Sequence, residues 1–388
     1  MPKGAFWKIR AAFLAAGLLA STAAFSANVT VPTIDLITHA YNAGGLLNFQ
    51  TYGNMVVRVE GGYKFSAQID LNFLSSLNPA LSLESLGPAN WLGFLGASIT
   101  TRDIFGSSVD VSYFVGRNDS FCEGDGFEFF GATTFATTYS GFLYFPAGPL
   151  YDGIYRVNGT GVRVDITPAK ETFRLSVYAY QDTHNNEPIP TASLTVPFPG
   201  AFSGDVRALL NFDAVKLEGF VGGTYSPTSA AGLYRGGMLF YASNRDVEFF
   251  AQAGVPEWDP ASSFSVNLFY LLFEPRLHLG QFSLVPTFFW HPAYYQQFSV
   301  PTEAGNFDVN VNAYFGDLVQ SSVRGGVESN FKFQSSSMST AGVLQTRVSP
   351  YISFLTPGAL WTLKVNFKLF PFDLPTMLDA FVGVQATL

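Results

Sequence analysis

The sequence predicts an all-β chain, a transmembrane antiparallel β-barrel of about 16 strands (range about 14 to 18) that follows a cleaved signal peptide. Three observations carry this expectation. The chain is as apolar as a membrane protein: of its 388 residues 48% are hydrophobic, 16% aromatic and only 13% charged, against about 25% charged in an ordinary soluble domain. It opens on an export-type leader, and after that no apolar run approaches the roughly 20 residues of a membrane-crossing helix. Polar and apolar residues alternate one by one through much of the remainder.

Residues 1–26 have the layout of a signal peptide. Lys3, Lys8 and Arg10 form a positive start, residues 11–20 are apolar, and small residues follow, with Ala24 and Ser26 placed for cleavage after Ser26. No cysteine follows the apolar stretch, which excludes a lipoprotein anchor there; the single cysteine is Cys122. Residues 27–48 are expected to form an N-terminal lead-in or a plug, ahead of a barrel over residues 49–388. In the plug reading Pro32 opens a short helix with Ile34, Ile37 and Tyr41 on one face, ended by Gly44-Gly45. An extra strand is the other reading of the same segment.

Period two is clearest over residues 55–73. Met55, Val57, Val59, Phe65, Ala67, Ile69, Leu71 and Phe73 are apolar, while Arg58, Glu60, Lys64, Ser66, Gln68, Asp70 and Asn72 are polar. A three-residue turn at Glu60-Gly61-Gly62 would pair Val59 with Tyr63 and keep both apolar faces on one side. The pattern returns at Val206, Ala208 and Leu210 against Asp205 and Arg207, at Val309, Val311 and Ala313 against Asp308, Asn310 and Asn312, and at Leu363, Val365 and Phe367 against Lys364, Asn366 and Lys368. A helical period cannot generate such runs.

The last residues, Leu378, Ala380, Val382, Val384, Ala386 and Leu388, alternate with Asp379, Phe381, Gly383, Gln385 and Thr387. This segment resembles the closing strand of bacterial outer-membrane β-barrel proteins. The resemblance implies a bacterial outer-membrane location, outer-membrane lipid as a partner, and recognition of Gly383, Ala386 and Leu388 by the barrel-assembly machinery. Leu388 stands where that class usually ends in Phe, and Ala386 where it carries an aromatic residue. Asn78-Pro79-Ala80 is similar to a tripeptide of long-chain fatty-acid transporters, but it follows the first hairpin instead of lying in an N-terminal hatch.

In a barrel the polar face of each strand turns inward. Arg58, Glu60, Lys64, Asp70, Arg174, Arg324, Glu328, Lys332, Lys364 and Lys368 are therefore the candidate pore-lining residues. Opposed acidic and basic walls would screen small solutes by charge; in a narrow or plugged barrel the same charges would simply neutralise one another. Phe288, Phe289, Trp290, Tyr294 and Tyr295 are candidates for an aromatic girdle at the headgroup level.

Other chemistry finds little support. His39, His184, His278 and His291 are far apart, no metal-ligand spacing or cofactor motif is present, and no Gly-x-Ser-x-Gly elbow marks a hydrolase. Asp119, Glu123 and Asp125 around Cys122 read as a solvated acidic loop more readily than as a cation site. A formal charge of -8, made more acidic by loss of the leader's three cations, excludes a nucleic-acid partner. The expected function is a porin-like channel for passive diffusion of small solutes, without enzymatic activity. The alternatives are a surface-exposed structural or adhesive barrel and a transporter of hydrophobic, fatty-acid-type substrates.

Overall fold

The computed structural model describes residues 27–43, 45–62, 64–77, 91–106, 108–131, 137–138, 153–169, 172–182, 201–226, 231–291, 306–318, 321–334 and 344–386. The expected leader, Asn78-Pro79-Ala80, Tyr294, Tyr295 and Leu388 lie outside them.

The first strands are β1 (Ala27–Ala43), β2 (Leu46–Gly61), β3 (Phe65–Leu77), β4 (Trp91–Thr101), β5 (Val109–Phe121) and β6 (Tyr155–Ala169). Then come β7 (Phe173–Asp182), β8 (Phe202–Phe212), β9 (Val215–Ser226), β10 (Ala231–Ser243), β11 (Val247–Trp258) and β12 (Tyr270–Leu279). The chain ends with β13 (Phe282–His291), β14 (Asn306–Phe315), β15 (Val323–Gln334), β16 (Leu344–Thr356), β17 (Ala359–Phe370) and β18 (Leu378–Ala386). Each strand pairs antiparallel with its neighbours in sequence, and β18 pairs with β1, so one 18-stranded sheet closes on itself. Closure leaves no edge, and every strand finds its backbone partners without water.

The strand number corrects the expected 16 to 18. One additional strand is β1, so residues 27–43 follow the extra-strand reading and not the plug or lead-in. Ile37 and Tyr41 face inward, opposite Gly383 and Asp379, whereas Ile34 faces outward, so the helical face anticipated from Pro32 does not form. Pro32 sits instead at a bulge between Thr30 and Thr33, where a missing N–H is harmless. Strands such as β4 and β10 carry glycines that dilute the alternation that marks a strand.

The first hairpin also corrects its register. Val59 lies opposite Ala67, and Gly61 opposite Phe65. The turn therefore lies between Gly61 and Phe65, opened by Gly62 at φ 66, a left-handed conformation that costs glycine nothing. Both apolar faces still share one side, because the shift is an even number of residues.

The barrel is apolar outside and polar within. Along β8, Ser203, Asp205, Arg207 and Leu209 are buried while Phe202, Gly204 and Val206 are exposed. Exposed aromatic residues ring both ends: Phe65, Phe212, Phe282 and Phe315 at one, Phe202, Tyr225, Tyr234 and Phe370 at the other. The first end, which also holds Ala27 and Ala386, has the short connections at residues 213–214, 280–281 and 357–358; the second has the long ones at 122–154 and 183–201, together with the two-residue connection from β1 to β2. Short turns at one end and long loops at the other are the usual asymmetry of an outer-membrane barrel.

One seam of the wall is weakened. The pairing of β12 with β13 stops after Phe273↔Phe288 and resumes at Leu277↔Leu284 in the same register. Pro275 and Pro286 face each other in the interval, and neither has an N–H to donate.

Candidate functional site: the barrel interior

The described residues that follow β5, 122–131, turn into the barrel. Cys122 adopts a left-handed φ of 63, and a 3₁₀ helix, Asp125–Phe130, follows. The base is pinched where the Ile154 amide donates to the Phe121 carbonyl at 2.8 Å. Gly153, at φ 78, packs so closely on that carbonyl that a Cβ would lie 2.2 Å from it. Only glycine fits there.

The loop is bonded to the walls it crosses. The Cys122 amide donates to Glu218 Oε1 of β9 at 2.5 Å, and Gln252 of β11 donates to the Cys122 carbonyl. Arg207 of β8 holds Asp125 at 3.3 Å, and Arg174 of β7 stacks over Phe129, 4.3 Å from its ring centre. Farther along, the Thr137 hydroxyl and the Thr138 amide donate to Glu274 of β12 at 2.7 and 3.1 Å. The same carboxylate accepts from Thr287 at 2.8 Å and pairs with Arg276 at 2.8 Å.

Behind the loop the inner face is not uniformly polar. Phe114, Tyr178, Tyr180, Leu209, Phe220, Leu239, Phe250, Leu272 and Phe289 point inward and pack with Phe121, Cys122 and Phe127 into one enclosed cluster. Ionic groups among them are multiply bonded. Asp165 takes both Arg163 and Arg174 at 2.9 Å, Arg163 reaches Asp119 at 2.6 Å, and Arg235 grips Asp205 at 2.7 Å while stacking on Tyr155 at 3.9 Å. Asp119 and Asp125 thus face arginines, and among the described residues no group of ligating side chains is placed to hold a metal.

The inner face from β14 round to β3 is different in character, being polar with few apolar residues. Glu328 of β15 pairs with Lys364 of β17, and Lys368 with Asp379 of β18 at 2.9 Å. Lys332 lies opposite Asp308, and Arg347 opposite Lys368. His39 is stacked on Phe381 at 4.4 Å and lies 3.8 Å from Asp379. On β2 and β3, Arg58 donates to Gln68 at 3.2 Å, and Gln68 donates to Asp70 at 3.0 Å.

The anticipated pore residues therefore divide. Glu328, Lys332, Lys364 and Lys368 come together on one wall; Arg58 and Asp70 meet through Gln68; Arg324 lies over the Tyr314 ring, 4.6 Å from its centre. Arg174 belongs to the loop-side network instead. Glu60 pairs with Arg102 at 3.6 Å near the short-turn rim, and Lys64 lies exposed in the first turn, not on a strand wall. Phe288 is outward and exposed, but Phe289 is fully buried inside against Tyr270. It is not a girdle residue, because adjacent strand residues face opposite ways. Gly383 and Ala386 lie on β18, opposite Ile37 and Ile34 of β1.

The inward loop and its anchors Glu218, Gln252 and Glu274 were not anticipated. Their trace in the sequence is the failure of alternation at Phe249-Phe250, Leu271-Leu272 and Phe288-Phe289-Trp290, where both faces are apolar. A barrel strand that is apolar on both faces has something packed inside it.

No protein-family model matches the chain, and no curated protein does. Solved structures do. OccAB3 of Acinetobacter baumannii aligns with a TM-score of 0.54 at 8% identity over 94% of this chain and 99% of its own. OccK8 (OprE) of Pseudomonas aeruginosa gives 0.54 at 10%, covering 94% and 98%. The outer membrane protein OpdK of the same organism gives 0.51 at 12%, covering 93% and 99%. The fold of this chain, an 18-stranded barrel with an apolar exterior and a charged interior, is that of bacterial outer-membrane porins.

Proposed function

We propose that the protein is a porin-like channel of the bacterial outer membrane for the passive diffusion of small solutes. The observation that carries this reading is the polar inner wall from β14 round to β3, facing an inward loop that is bonded to β7, β8, β9, β11 and β12. A wall of amides, hydroxyls and paired ions is what a hydrated path requires, and a barrel of this strand number encloses one. The loop narrows that path from one side. Among the described residues many inner charges are paired, so selectivity rests on the balance of local pairs along the path more than on an excess of one sign.

The test is conductance of the refolded protein in a planar bilayer. Discrete steps are expected, and a folded, inserted barrel that passes no current would overturn the reading.

A second reading, passage of an apolar solute through the wall, is favoured by the Pro275/Pro286 seam, which lies beside inward Leu272 and Phe289. Transfer of a long-chain fatty acid into vesicles carrying the protein, abolished in Pro275→Val/Pro286→Val, would support it. Equal transfer by both forms would exclude it.

A further inference from the structure

The inner face of β14–β17 holds hydrogen-bonding groups that the fold leaves unused. Asn310 and Asn330 face each other across β14 and β15, each 1% exposed, and neither the oxygen nor the nitrogen of either amide has a partner. Ser349, opposite Glu328, is fully enclosed with an unbonded hydroxyl. Asn366, opposite Asp379, is 1% exposed with an unbonded oxygen. These four occupy two adjacent rows of one wall, since Asn330 is also opposite Arg347 and Arg347 opposite Lys368. Buried polar groups almost always find a partner, and an orphan opposes folding until something bonds to it.

We propose that this patch binds a neutral, hydroxyl-rich solute, a sugar or polyol, on its way through the barrel. The lysines and carboxylates around it already face one another: Glu328 closes on Lys364, Lys368 on Asp379, and Lys332 faces Asp308, while Arg347 stands in the row opposite Asn330 and Lys368. What remains unbonded is amide and hydroxyl, offering donors and acceptors side by side. The three lysines an anion would draw on are each set against a carboxylate, and a metal ion would need unmatched carboxylates. A hydroxyl donates and accepts at once, as an amide pair does. The wall from β14 to β17 spans about 14 Å by strand spacing, and the two rows lie about 7 Å apart, the dimensions of a hexose or a disaccharide.

The assignment rests on the reading of the barrel as a solute channel, and the experiment separates the two. Glucose and maltose binding to the full refolded chain in detergent is measured by calorimetry, with a polyethylene glycol of similar size as the control; planar-bilayer conductance is measured in parallel. Maltose is expected to bind and the glycol not to, and Asn310→Leu/Asn330→Leu is expected to weaken maltose at least about tenfold while leaving the barrel as heat-resistant as before or more so, since two near-isosteric apolar groups replace orphans. If that double variant does not fold, Ser349→Ala supplies the same comparison. A conducting barrel that binds neither sugar overturns this inference and spares the channel. A barrel that binds maltose but never conducts overturns the channel and keeps the site. Unchanged maltose binding in a destabilised variant shows that the amides hold structural water, and overturns the inference.

Discussion

Arg207 of β8 donates through Nε to Glu218 of β9 at 2.8 Å, with both side chains almost wholly enclosed inside the barrel. The same carboxylate oxygen takes the Cys122 amide, so one ion pair fastens the inward loop at its base. Removing one member of a buried pair strands the other and costs about 3–5 kcal/mol. Glu218→Gln should lower barrel stability by that order and loosen the loop. Burial, followed by the nearby Glu218 carboxylate, also holds the Cys122 thiol well above its usual pKa. Maleimide should therefore leave the folded wild type unlabelled and modify Cys122 in Glu218→Gln; equal rates in both would show that Glu218 does not fasten the loop.

Glu123, beside that anchor, is pushed up to about 7, first by burial and then by repulsion from Asp125. Its folded pKa lies above the ordinary 4.5, so the ionised form is disfavoured in the folded state. The contribution of this residue to stability is full below about pH 4.5, declines as pH rises, and is lost once pH passes about 7. Over the upper part of that window the loop gains a negative charge, and cation preference should grow with pH. Glu123→Gln should flatten both trends, as read by reversal potentials and by denaturation across the same range.

Leu363 and Thr362 are neighbours on β17 with opposite fates. Leu363 is exposed on the outer face, and Thr362 turns inward toward the Ser353 hydroxyl at 2.9 Å. An arginine at the bilayer midplane costs about 2–4 kcal/mol and little in a hydrated interior. Leu363→Arg should reduce the heat-modifiable, folded fraction on a gel, and Thr362→Arg should leave it nearly intact. Equal damage would reverse the assignment of faces.

The closing strand makes an assembly prediction. Deleting residues 382–388 removes the pairs from Thr38↔Val382 to Ile34↔Ala386 with β1 and the pairs from Leu363↔Val382 to Ala359↔Ala386 with β17. Two open edges would then face lipid. No folded, heat-modifiable barrel should reach the outer membrane, and a truncated protein that inserts normally would contradict closure through β18.

Replacing Lys332, Lys364 and Lys368 together by Gln should unmask the carboxylates of Asp308, Glu328 and Asp379, which they face or pair with. The reversal potential should move toward cations at low salt and much less at about 1 M, where the Debye length falls to about 3 Å. No movement at low salt would place the conducting path away from this wall.

Period-two alternation was enough to read the architecture, because lipid outside and water inside impose opposite demands on successive side chains. It placed Val309, Val311 and Ala313 outward and Asp308, Asn310 and Asn312 inward from the amino acids alone. It could not place Phe289 or β1. A phenylalanine within an apolar triplet satisfies either face until its neighbours are known, and β1 has its partners at the far end of the chain and across a bulge. Pairing across distance decided the rest. Closure made the strand number 18, register brought Asn310, Asn330, Ser349 and Asn366 onto one wall, and the turn at Cys122 carried the following loop inward. Each of these depends on residues distant in sequence sharing one side of a closed sheet, a relation that no local pattern contains.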